Sequence, residues 1–190
     1  MGVSRIAYLF LLAAVAAGRL LELRISRANQ RKVMQAGGER VAEPHFNAMV
    51  LLHTGVIVGA AVEVIVARRP LIPALAIAMG ALFVLSNALR WWVIRTMREH
   101  WNVEVMNSVP LGVVASGPYR WVRHPNYVAV YVEMISLPLI HTAWITALGA
   151  AIGNAWVLHE RLAVEDRVLL ADPAYRAAMG AKPRFLPKFL

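Results

Sequence analysis

The chain has 190 residues, of which 59% are apolar and 16% are charged, and its mean hydropathy is +0.54. Soluble domains are about 45–50% apolar and about 25% charged, so this composition excludes an ordinary soluble domain and indicates a polytopic membrane protein. The net charge of +9 also occurs in nucleic-acid-binding proteins. Here the charges lie in short loops between apolar segments, which fits a membrane topology and argues against nucleic acid. The absence of cysteine excludes disulfides, thiol nucleophiles and cysteine zinc sites.

Five apolar segments along the chain predict an all-α fold, a polytopic membrane bundle of about five transmembrane helices. Helices are expected because backbone amides in lipid have no water to pair with. The last two segments are shorter than the roughly 20 residues of a typical span, and little separates them, so we expect a tight helical hairpin. The predicted spans are residues 6–23, 46–67, 71–94, 127–140 and 143–158.

The distribution of basic residues predicts the orientation of the bundle, because cytoplasmic loops carry an excess of lysine and arginine. In a five-span topology, Arg5, Arg68 and Arg69 fall on one face, and Arg19 and Arg90 lie inside spans. We therefore predict that the N-terminus lies outside and the C-terminus in the cytoplasm. Fifteen basic residues fall on the cytoplasmic face: Arg24, Arg27, Arg31, Lys32, Arg40, Arg95, Arg98, Arg120, Arg123, Arg161, Arg167, Arg176, Lys182, Arg184 and Lys188.

We expect a single integral-membrane domain over residues 1–190, in two parts. Residues 1–97 hold three spans, and residues 98–190 hold a polar loop, the helical hairpin and a C-terminal helix. That helix is predicted over residues 158–170 as a separate module, since Asp172-Pro173 is a helix stop signal. Residues 184–190 mix bases with large apolar side chains, which is typical of a segment lying on a membrane surface.

A glycine pair and several ionisable residues within the spans allow more than one interpretation. Gly55 and Gly59 form a small-xxx-small pair, which favours close helix packing and is also compatible with a homo-oligomer. His53 is most simply a hydrogen-bonded interior histidine, with a substrate contact as the alternative. Glu63 is expected to pair with an arginine at the end of its span. The pattern assigns no role to Glu133.

The strongest chemical pattern has two parts. The first is the loop Gly-Pro-Tyr-Arg-Trp-Val-Arg-His-Pro-Asn-Tyr at residues 117–127, whose prolines hold Arg123 and His124 at the edge of an apolar segment. The second follows the hairpin, where Arg161 and Glu165 are four residues apart and share a helix face. A solvated ion pair is the simpler interpretation of that pair alone. Because both parts are predicted on one membrane face, we expect a shared pocket that suits a zwitterionic cofactor.

Motifs for other ligands are missing from the sequence. It contains no glycine-rich strand-to-helix turn for a nucleotide and no Walker lysine motif. His159-Glu160 begins like a zinc-protease helix, but Ala163 stands where the second histidine is required, so no metal is expected.

Taken together, these motifs resemble the isoprenylcysteine carboxyl methyltransferase family of integral-membrane, S-adenosylmethionine-dependent enzymes. The family pattern is Gly-Pro-Tyr-x-x-x-Arg-His-Pro-x-Tyr, then an apolar hairpin, Arg-x-x-x-Glu-Glu, a later tyrosine and a Pro/Arg-rich end. This chain has Asp166 in place of the second glutamate. The resemblance spans about residues 87–187, and the matching residues are Gly117, Pro118, Tyr119, Arg123, His124, Pro125, Tyr127, Arg161, Glu165, Tyr175, Pro183, Arg184 and Phe185.

The resemblance implies an S-adenosyl-L-methionine-dependent O-methyltransferase and a role for each matching residue. Arg161 is expected to orient an anionic acceptor oxygen, and Glu165 to hold Arg161 or the ammonium group of the cofactor. His124 is the first candidate base for a phenolic acceptor, whereas an ionised acceptor needs none. The residues expected to bind the cofactor are Tyr119, Arg123, His124, Pro125, Tyr127 and Glu160. The lipophilic acceptor is expected to enter from the membrane lipids and contact Trp91, Trp92, Trp101 and His53.

The N-terminal half adds a finer resemblance. Residues 19–23 (Arg-Leu-Leu-Glu-Leu), Asn29, 44–46 (Pro-His-Phe) and 89–94 (Leu-Arg-Trp-Trp-Val-Ile) look like a bacterial branch of the family. Members of that branch methylate long-chain alkylpyrones or alkylresorcinols, which implies a bacterial plasma membrane. The expected acceptor is therefore either such a hydroxyl compound or a prenylcysteine-type carboxylate.

Two alternatives from other classes stay open. A non-catalytic membrane scaffold or lipid-binding subunit predicts no binding of the methyl donor. A nicotinamide-dependent membrane reductase is the second, because sterol reductases share a similar C-terminal arrangement. The five predicted spans are too few for the larger body of such a reductase.

Overall fold

The computed structural model describes residues 2–187, most of which lie in helices. Short 3₁₀ turns occupy Arg98–His100, Val109–Leu111 and Gly117–Arg120. Two-residue strands, β1 (Glu39–Arg40) and β2 (Met106–Asn107), pair antiparallel. Apart from this small ribbon, the predicted all-α class is confirmed. The helices are α1 (Val3–Gln35), α2 (Phe46–Val66), α3 (Pro73–Met97), α4 (Pro125–Leu139), α5 (Trp144–Ala171) and α6 (Pro173–Met179).

Within the described residues, 3 helices are long and apolar enough to cross a membrane: Val3–Gln35, Phe46–Val66 and Pro73–His100. Their outward side chains include Phe10, which is 73% exposed, and Ile77, which is 74% exposed. Large exposed apolar groups of this kind fit a lipid surrounding. Helix α4 has 15 residues, about 22 Å, and is shorter than the roughly 30 Å of a hydrocarbon core. The structure therefore supports a membrane protein and does not confirm five spans.

Helix α4 lies in the centre of the bundle. It packs against α3 and α5, and its side chains are buried on several sides, including Val130, Glu133 and Leu137. A helix satisfies its backbone hydrogen bonds within itself. When other helices also enclose it, its length need not match the thickness of the membrane. Residues 140–143 connect α4 to α5, so the predicted helical hairpin is confirmed.

Helix α5 runs without interruption through residues 144–171. The prediction of a separate helical module over residues 158–170 is therefore wrong, because no proline or glycine breaks the helix there. The predicted stop at Asp172 is confirmed. The Asp172 carboxylate accepts hydrogen bonds from the backbone N–H groups of Ala174 (2.8 Å) and Tyr175 (3.0 Å) and so caps α6.

Contacts between α2 and α5 involve Gly59 and Glu63, two residues for which the sequence allowed more than one interpretation. A Cβ atom at Gly59 would lie 3.3 Å from Thr146 Oγ1, so this glycine serves packing within the chain. Gly55 has no heavy atom within 4 Å of its ideal Cβ position, and a homo-oligomer through Gly55 and Gly59 stays a prediction. The predicted pairing of Glu63 is confirmed, because its Oε1 lies 2.8 Å from Arg69 Nη2. Glu63 also accepts a 2.8 Å hydrogen bond from the Thr146 backbone N–H.

Candidate active site

The Arg-His-Pro loop, residues 117–127, begins at a close approach between Gly117 and α3. Gly117 has φ +56°, a conformation that disfavours a side chain, and a Cβ there would lie 2.5 Å from Thr96 Oγ1. The glycine of the motif is therefore required for the contact between loop and helix. In the turn that follows, the carbonyl oxygen of the buried Tyr119 accepts a 2.7 Å hydrogen bond from Lys182 Nζ.

His124 lies immediately before α4, because a residue that precedes a proline is disfavoured in the helical conformation. Its side chain is buried, and its ring stacks on Tyr127 with 5.4 Å between the ring centroids. Its Nε2 lies 2.9 Å from Asp166 Oδ1. Because a carboxylate only accepts hydrogen bonds, Nε2 is the donor. The two segments that the sequence predicted to share a pocket are thus in direct contact.

The segment after α6 closes onto the same loop. The backbone N–H of Arg123 donates to the Pro183 carbonyl, and that of His124 donates to the Arg184 carbonyl, both at 2.9 Å. Arg184 Nε also donates to Asp166 Oδ2 at 2.9 Å. The Pro/Arg-rich end of the motif therefore holds the loop in place. Lys188 and the other residues of the predicted surface segment from 188 onward lie outside the described residues.

Asp166 joins the loop, α5 and the C-terminal segment through a buried carboxylate. Burial by itself raises the pKa of this carboxyl group. The hydrogen bond from His124 and the charges of Arg123 and Arg184 outweigh that effect, so the pKa of Asp166 lies below its ordinary value. Arg123 Nη1 lies 3.5 Å from Asp166 Oδ1. The carboxylate is therefore ionised at neutral pH.

Glu165 points from α5 toward the opposite side of His124. Its Oε2 accepts a hydrogen bond from the Tyr127 hydroxyl, and its Oε1 lies 3.8 Å from His124 Nδ1. The side chain keeps 26% of its surface exposed, so a ligand beside Tyr127 can reach this carboxylate.

Arg161 pairs with Glu43. The sequence indicated Glu165 as one possible partner of Arg161, and the structure does not show that pair. Its Nε lies 3.0 Å from Glu43 Oε1, and its Nη2 donates to the Val103 carbonyl at 2.8 Å. The guanidinium carbon lies 5.9 Å from the centroid of the Tyr127 ring. Burial raises the pKa of Glu43, although the charge of Arg161 opposes the shift. The segment before α2 therefore supplies the carboxylate that holds Arg161.

A small cavity of about 80 Å³ lies between these groups. Five residues predicted from the motif line it: Tyr119, His124, Tyr127, Arg161 and Glu165. Its wall also contains polar residues to which the sequence assigned no role: His100, Asn102, Glu104, Ser108 and Asn126.

A second, larger cavity of about 390 Å³ adjoins the first. The two cavities share the wall residues Trp101, Asn102, Asn126, Tyr127 and Arg161. Much of the remaining wall is apolar and comes from α1 and α2. Leu20 and Val58, on either side of this wall, are 63% and 55% exposed, so the large cavity reaches the surface between α1 and α2.

Four charged side chains form an ion cluster inside the bundle: Arg19, Glu22, Arg90 and Glu133. Arg90 binds both oxygens of Glu22, at 2.8 Å through Nε and 2.5 Å through Nη2. Arg19 lies 2.6 Å from Glu22 and also pairs with Glu133. All except Glu133 line the large cavity. Charged groups among membrane helices are paired and mark functional sites.

The predicted substrate contacts divide into two groups. His53 and Trp101 line the large cavity. His53 Nδ1 lies 2.9 Å from the Met49 carbonyl, so the expected hydrogen bond is present, and the alternative of a substrate contact stays a prediction. Trp91 and Trp92 line neither cavity; Trp91 packs into the protein core, and Trp92 is 46% exposed.

Three residues predicted to bind the cofactor lie outside the walls of both cavities. Glu160 faces His45, with 3.7 Å between Oε2 and Nε2, so the structure does not bring it to the pocket as expected. Arg123 and Pro125 flank the small cavity without lining it. Their positions fit a supporting function, because Arg123 contacts Asp166 and Pro125 starts α4.

Several residues of the site were not found by sequence reasoning. Glu43 carried no signal, since it lies in an irregular segment far from Arg161 in the chain. Asn126 occupies a variable position of the motif. Glu22 and Arg90 did carry a signal that was not used: opposite charges within two apolar helices are expected to pair.

The fold and the adjoining cavities define a membrane-embedded helical protein in which a polar pocket opens into an apolar one. Residues 76–171 match the family model of the isoprenylcysteine carboxyl methyltransferase (ICMT) family. The chain is also similar to an uncharacterized protein, YpbQ, of Bacillus subtilis (strain 168), with 29% identity over 160 residues that cover 84% of this chain and 94% of YpbQ. The chain belongs to the isoprenylcysteine carboxyl methyltransferase family, a family of membrane methyltransferases.

Proposed function

We propose that the protein is an S-adenosylmethionine-dependent O-methyltransferase that acts on a lipophilic acceptor at the membrane. Methyltransferases of its family use S-adenosylmethionine as a general rule. The observation that carries the proposal is the shared wall between the polar and the apolar cavity. A methyl donor in the first and an acceptor in the second would meet at Tyr127 and Arg161.

The residues of the small cavity fit this cofactor. Trp101 Nε1, Asn102 Oδ1 and Asn126 Oδ1 are buried and have no hydrogen-bond partner among the described residues. Leaving such an atom unpaired costs about 1–3 kcal/mol, so a ligand with both donors and acceptors is expected there. Glu165 offers a negative charge to an ammonium group. The small cavity holds only part of such a molecule, and its opening into the large cavity provides further room.

The protein's own contribution to the reaction is to position the methyl donor and the acceptor in a site that excludes water. S-adenosylmethionine, when bound, supplies an activated methyl group for transfer to an acceptor oxygen. Arg161, fixed by Glu43 and the Val103 carbonyl, would orient that oxygen through a charge-assisted hydrogen bond. Alignment of two reactants can supply roughly 7–11 kcal/mol of the barrier.

The contacts of His124 favour an acceptor that is already ionised. Its Nε2 is engaged with Asp166, and its Nδ1 faces Glu165. A carboxylate or an acidic hydroxypyrone needs no general base. A resorcinol, whose pKa is about 10 by analogy with tyrosine, would need a base to remove its proton. For such an acceptor, His124 Nδ1 is the candidate base.

The large cavity supports a long-chain acceptor. Its apolar wall opens between α1 and α2 toward the lipid-facing surface, and each buried methylene contributes about 0.8 kcal/mol. Three residues that carry the resemblance to the alkylpyrone and alkylresorcinol branch, Arg19, Glu22 and Arg90, meet in this wall. We therefore favour acceptors of that branch over prenylcysteine-type carboxylates.

We also propose a bacterial plasma membrane with the site at the cytoplasmic side. The support is the excess of basic residues in the segments around the Arg-His-Pro loop. Labelling of single introduced cysteines from outside intact cells tests this orientation, because the chain has no cysteine of its own.

The proposed function is tested by cofactor binding and methyl transfer. Purified protein in lipid nanodiscs is expected to bind S-adenosylhomocysteine and to transfer a labelled methyl group to an alkylpyrone, an alkylresorcinol or a prenylated cysteine. His124→Ala and Glu165→Ala are each expected to weaken S-adenosylhomocysteine binding at least tenfold, about 1.4 kcal/mol. Glu99→Ala, at an exposed position outside the walls of both cavities, is the matched control. A calorimetric titration without heat, in nanodiscs and in detergent, would favour the non-catalytic alternative.

A further inference from the structure

Asn154 is an unpaired polar residue in the wall of the large cavity. The side chain is fully buried in α5 and lines the cavity. Neither Oδ1 nor Nδ2 has a hydrogen-bond partner within the described part of the chain. Because an unpaired buried amide destabilises a folded protein, its presence points to a polar group of a ligand in the cavity.

Arg90 offers a second unpaired group to the same cavity. It is 7% exposed and lines the cavity, and its Nη1 has no partner among residues 2–187. Its Nε and Nη2 are both held by Glu22, which Arg19 holds from the other side. The ion cluster therefore fixes the guanidinium and leaves Nη1 available to a ligand.

The charges of the ion cluster indicate which ligand group fits. Arg90 is balanced by Glu22, and Arg19 is balanced by Glu133. An added carboxylate would leave a net negative charge in a low-dielectric region. A neutral oxygen that accepts a hydrogen bond from Nη1 satisfies the donor and preserves the charge balance.

Asn154 lies on the same face of α5 as Arg161, because seven residues make about two helical turns, or roughly 10 Å. The long side chain of Arg161 spans part of this distance. The large cavity thus has polar groups in the wall shared with the small cavity, and it also has Arg90 and Asn154 in the part of its wall that is not shared.

We infer that Arg90 Nη1 and the Asn154 amide bind a second, neutral oxygen of the acceptor, away from the shared wall where the first oxygen is methylated. These residues therefore select a head group with two oxygens, such as a hydroxypyrone or a resorcinol, over a long-chain compound with a single oxygen. The inference rests on the proposed function and narrows its substrate class.

Two probes that differ by one oxygen test the inference. A 5-alkylresorcinol and a 3-alkylphenol with the same saturated chain are added to the intact protein in nanodiscs, with and without S-adenosylhomocysteine. Acceptor binding is measured by the rise in thermal unfolding temperature, and kcat/KM is measured with labelled S-adenosylmethionine. The resorcinol is expected to bind at least tenfold more tightly than the phenol, which corresponds to one buried hydrogen bond.

The variant Asn154→Leu is expected to lose most of this preference in both measurements. It also removes an unpaired buried amide, so its thermal stability is expected to equal or exceed that of the native protein. Asn154→Val is a second variant if leucine does not fit the cavity. The matched control is Asn87→Leu, because Asn87 donates to the Phe83 carbonyl of its own helix and lines neither cavity.

The outcomes separate this inference from the proposed function. Equal binding of the two probes by the native protein, or an undiminished preference in Asn154→Leu and Asn154→Val, overturns the inference. Failure of the native protein to bind S-adenosylhomocysteine overturns the proposed function. Probe binding without the cofactor still tests Asn154 in that case.

Discussion

Tyr127 on α4 donates a hydrogen bond from its hydroxyl group to the Glu165 carboxylate on α5. The same aromatic ring stacks on His124 and lies under the guanidinium of Arg161. One residue of the Arg-His-Pro loop therefore orients a carboxylate, an imidazole and a cation around the small cavity.

Tyr127→Phe is expected to weaken S-adenosylhomocysteine binding about tenfold, since a hydrogen bond to a charged group contributes about 1.5–3 kcal/mol. The phenyl ring keeps the stacking on His124, so Tyr127→Ala is expected to lose more. Calorimetry in detergent measures both. Tyr131→Phe, on the same helix but outside both cavity walls, should bind like the native protein. An equal loss in the two Phe variants would contradict the assigned contact.

Asp166 gives the protein an acid-sensitive contribution to stability. Its pKa is lowered in the folded state, so its contribution is complete above the unfolded pKa of about 4 and is lost as the pH falls through the lower folded value. Asp166→Asn is expected to be less stable at neutral pH and to lose less stability on acidification. Thermal unfolding in an acid-stable detergent measures this. Superimposable pH profiles would rule out the contribution.

Glu43→Gln is expected to lower kcat/KM for the acceptor about tenfold while changing S-adenosylhomocysteine binding much less. The reason is that Glu43 holds Arg161, which is assigned to the acceptor oxygen, by a charge-assisted contact. Steady-state kinetics and calorimetry together provide the comparison. Glu39→Gln, at an exposed position of β1, is the control. Parallel losses in kinetics and cofactor binding would argue against this division of roles.

Glu22→Gln is expected to lower the free energy of unfolding by about 3 kcal/mol, because it leaves Arg90 buried without its counter-charge. The comparison is Glu99→Gln, which breaks the exposed pair with Lys32 and is expected to change stability far less. Denaturant unfolding in mixed micelles measures both. Similar effects of the two changes would show that the cluster is solvated.

Gly117→Ala is expected to destabilise the protein by about 1–2 kcal/mol or more, because the backbone has a positive φ and the new methyl group would meet Thr96. Gly149→Ala is the control. It lies within α5 with no heavy atom within 4 Å of its ideal Cβ position, so it is expected to be neutral or to stabilise by about 0.5–1 kcal/mol. Thermal unfolding compares the two, and equal shifts would contradict the close approach at Gly117.

The Arg-His-Pro loop could be predicted because its geometry is local: the prolines fix the backbone, and Pro125 both starts α4 and places His124 before it. The contact with α5 followed from placing both segments on one membrane face. The partner of Arg161 could not be predicted, since its i, i+4 neighbour Glu165 was an equally good candidate and Glu43 is distant in sequence.

The side-chain directions of α3 could not be predicted for a different reason. In a membrane, lipid and protein interior are both apolar, so hydrophobic periodicity does not separate the two faces of a helix. Trp91 and Trp92 were therefore assigned to the substrate cavity, although the structure places neither in its wall. For the same reason the structure does not confirm the predicted count of about five spans, because the apolar pattern of the short helix α4 reflects enclosure by α3 and α5.

Arg90 on α3 pairs with Glu22 on α1, and Glu133 on α4 pairs with Arg19, which also lies on α1. In an isolated α3, the guanidinium of Arg90 would lie in lipid, which is unfavourable by about 2.5–3.5 kcal/mol. When α3 lies beside α1, the same guanidinium meets a carboxylate that is already in position. Release from the insertion machinery is therefore most favourable for α1, α3 and α4 as a group. The order in which the helices are made during synthesis then matters to the yield of correctly assembled protein.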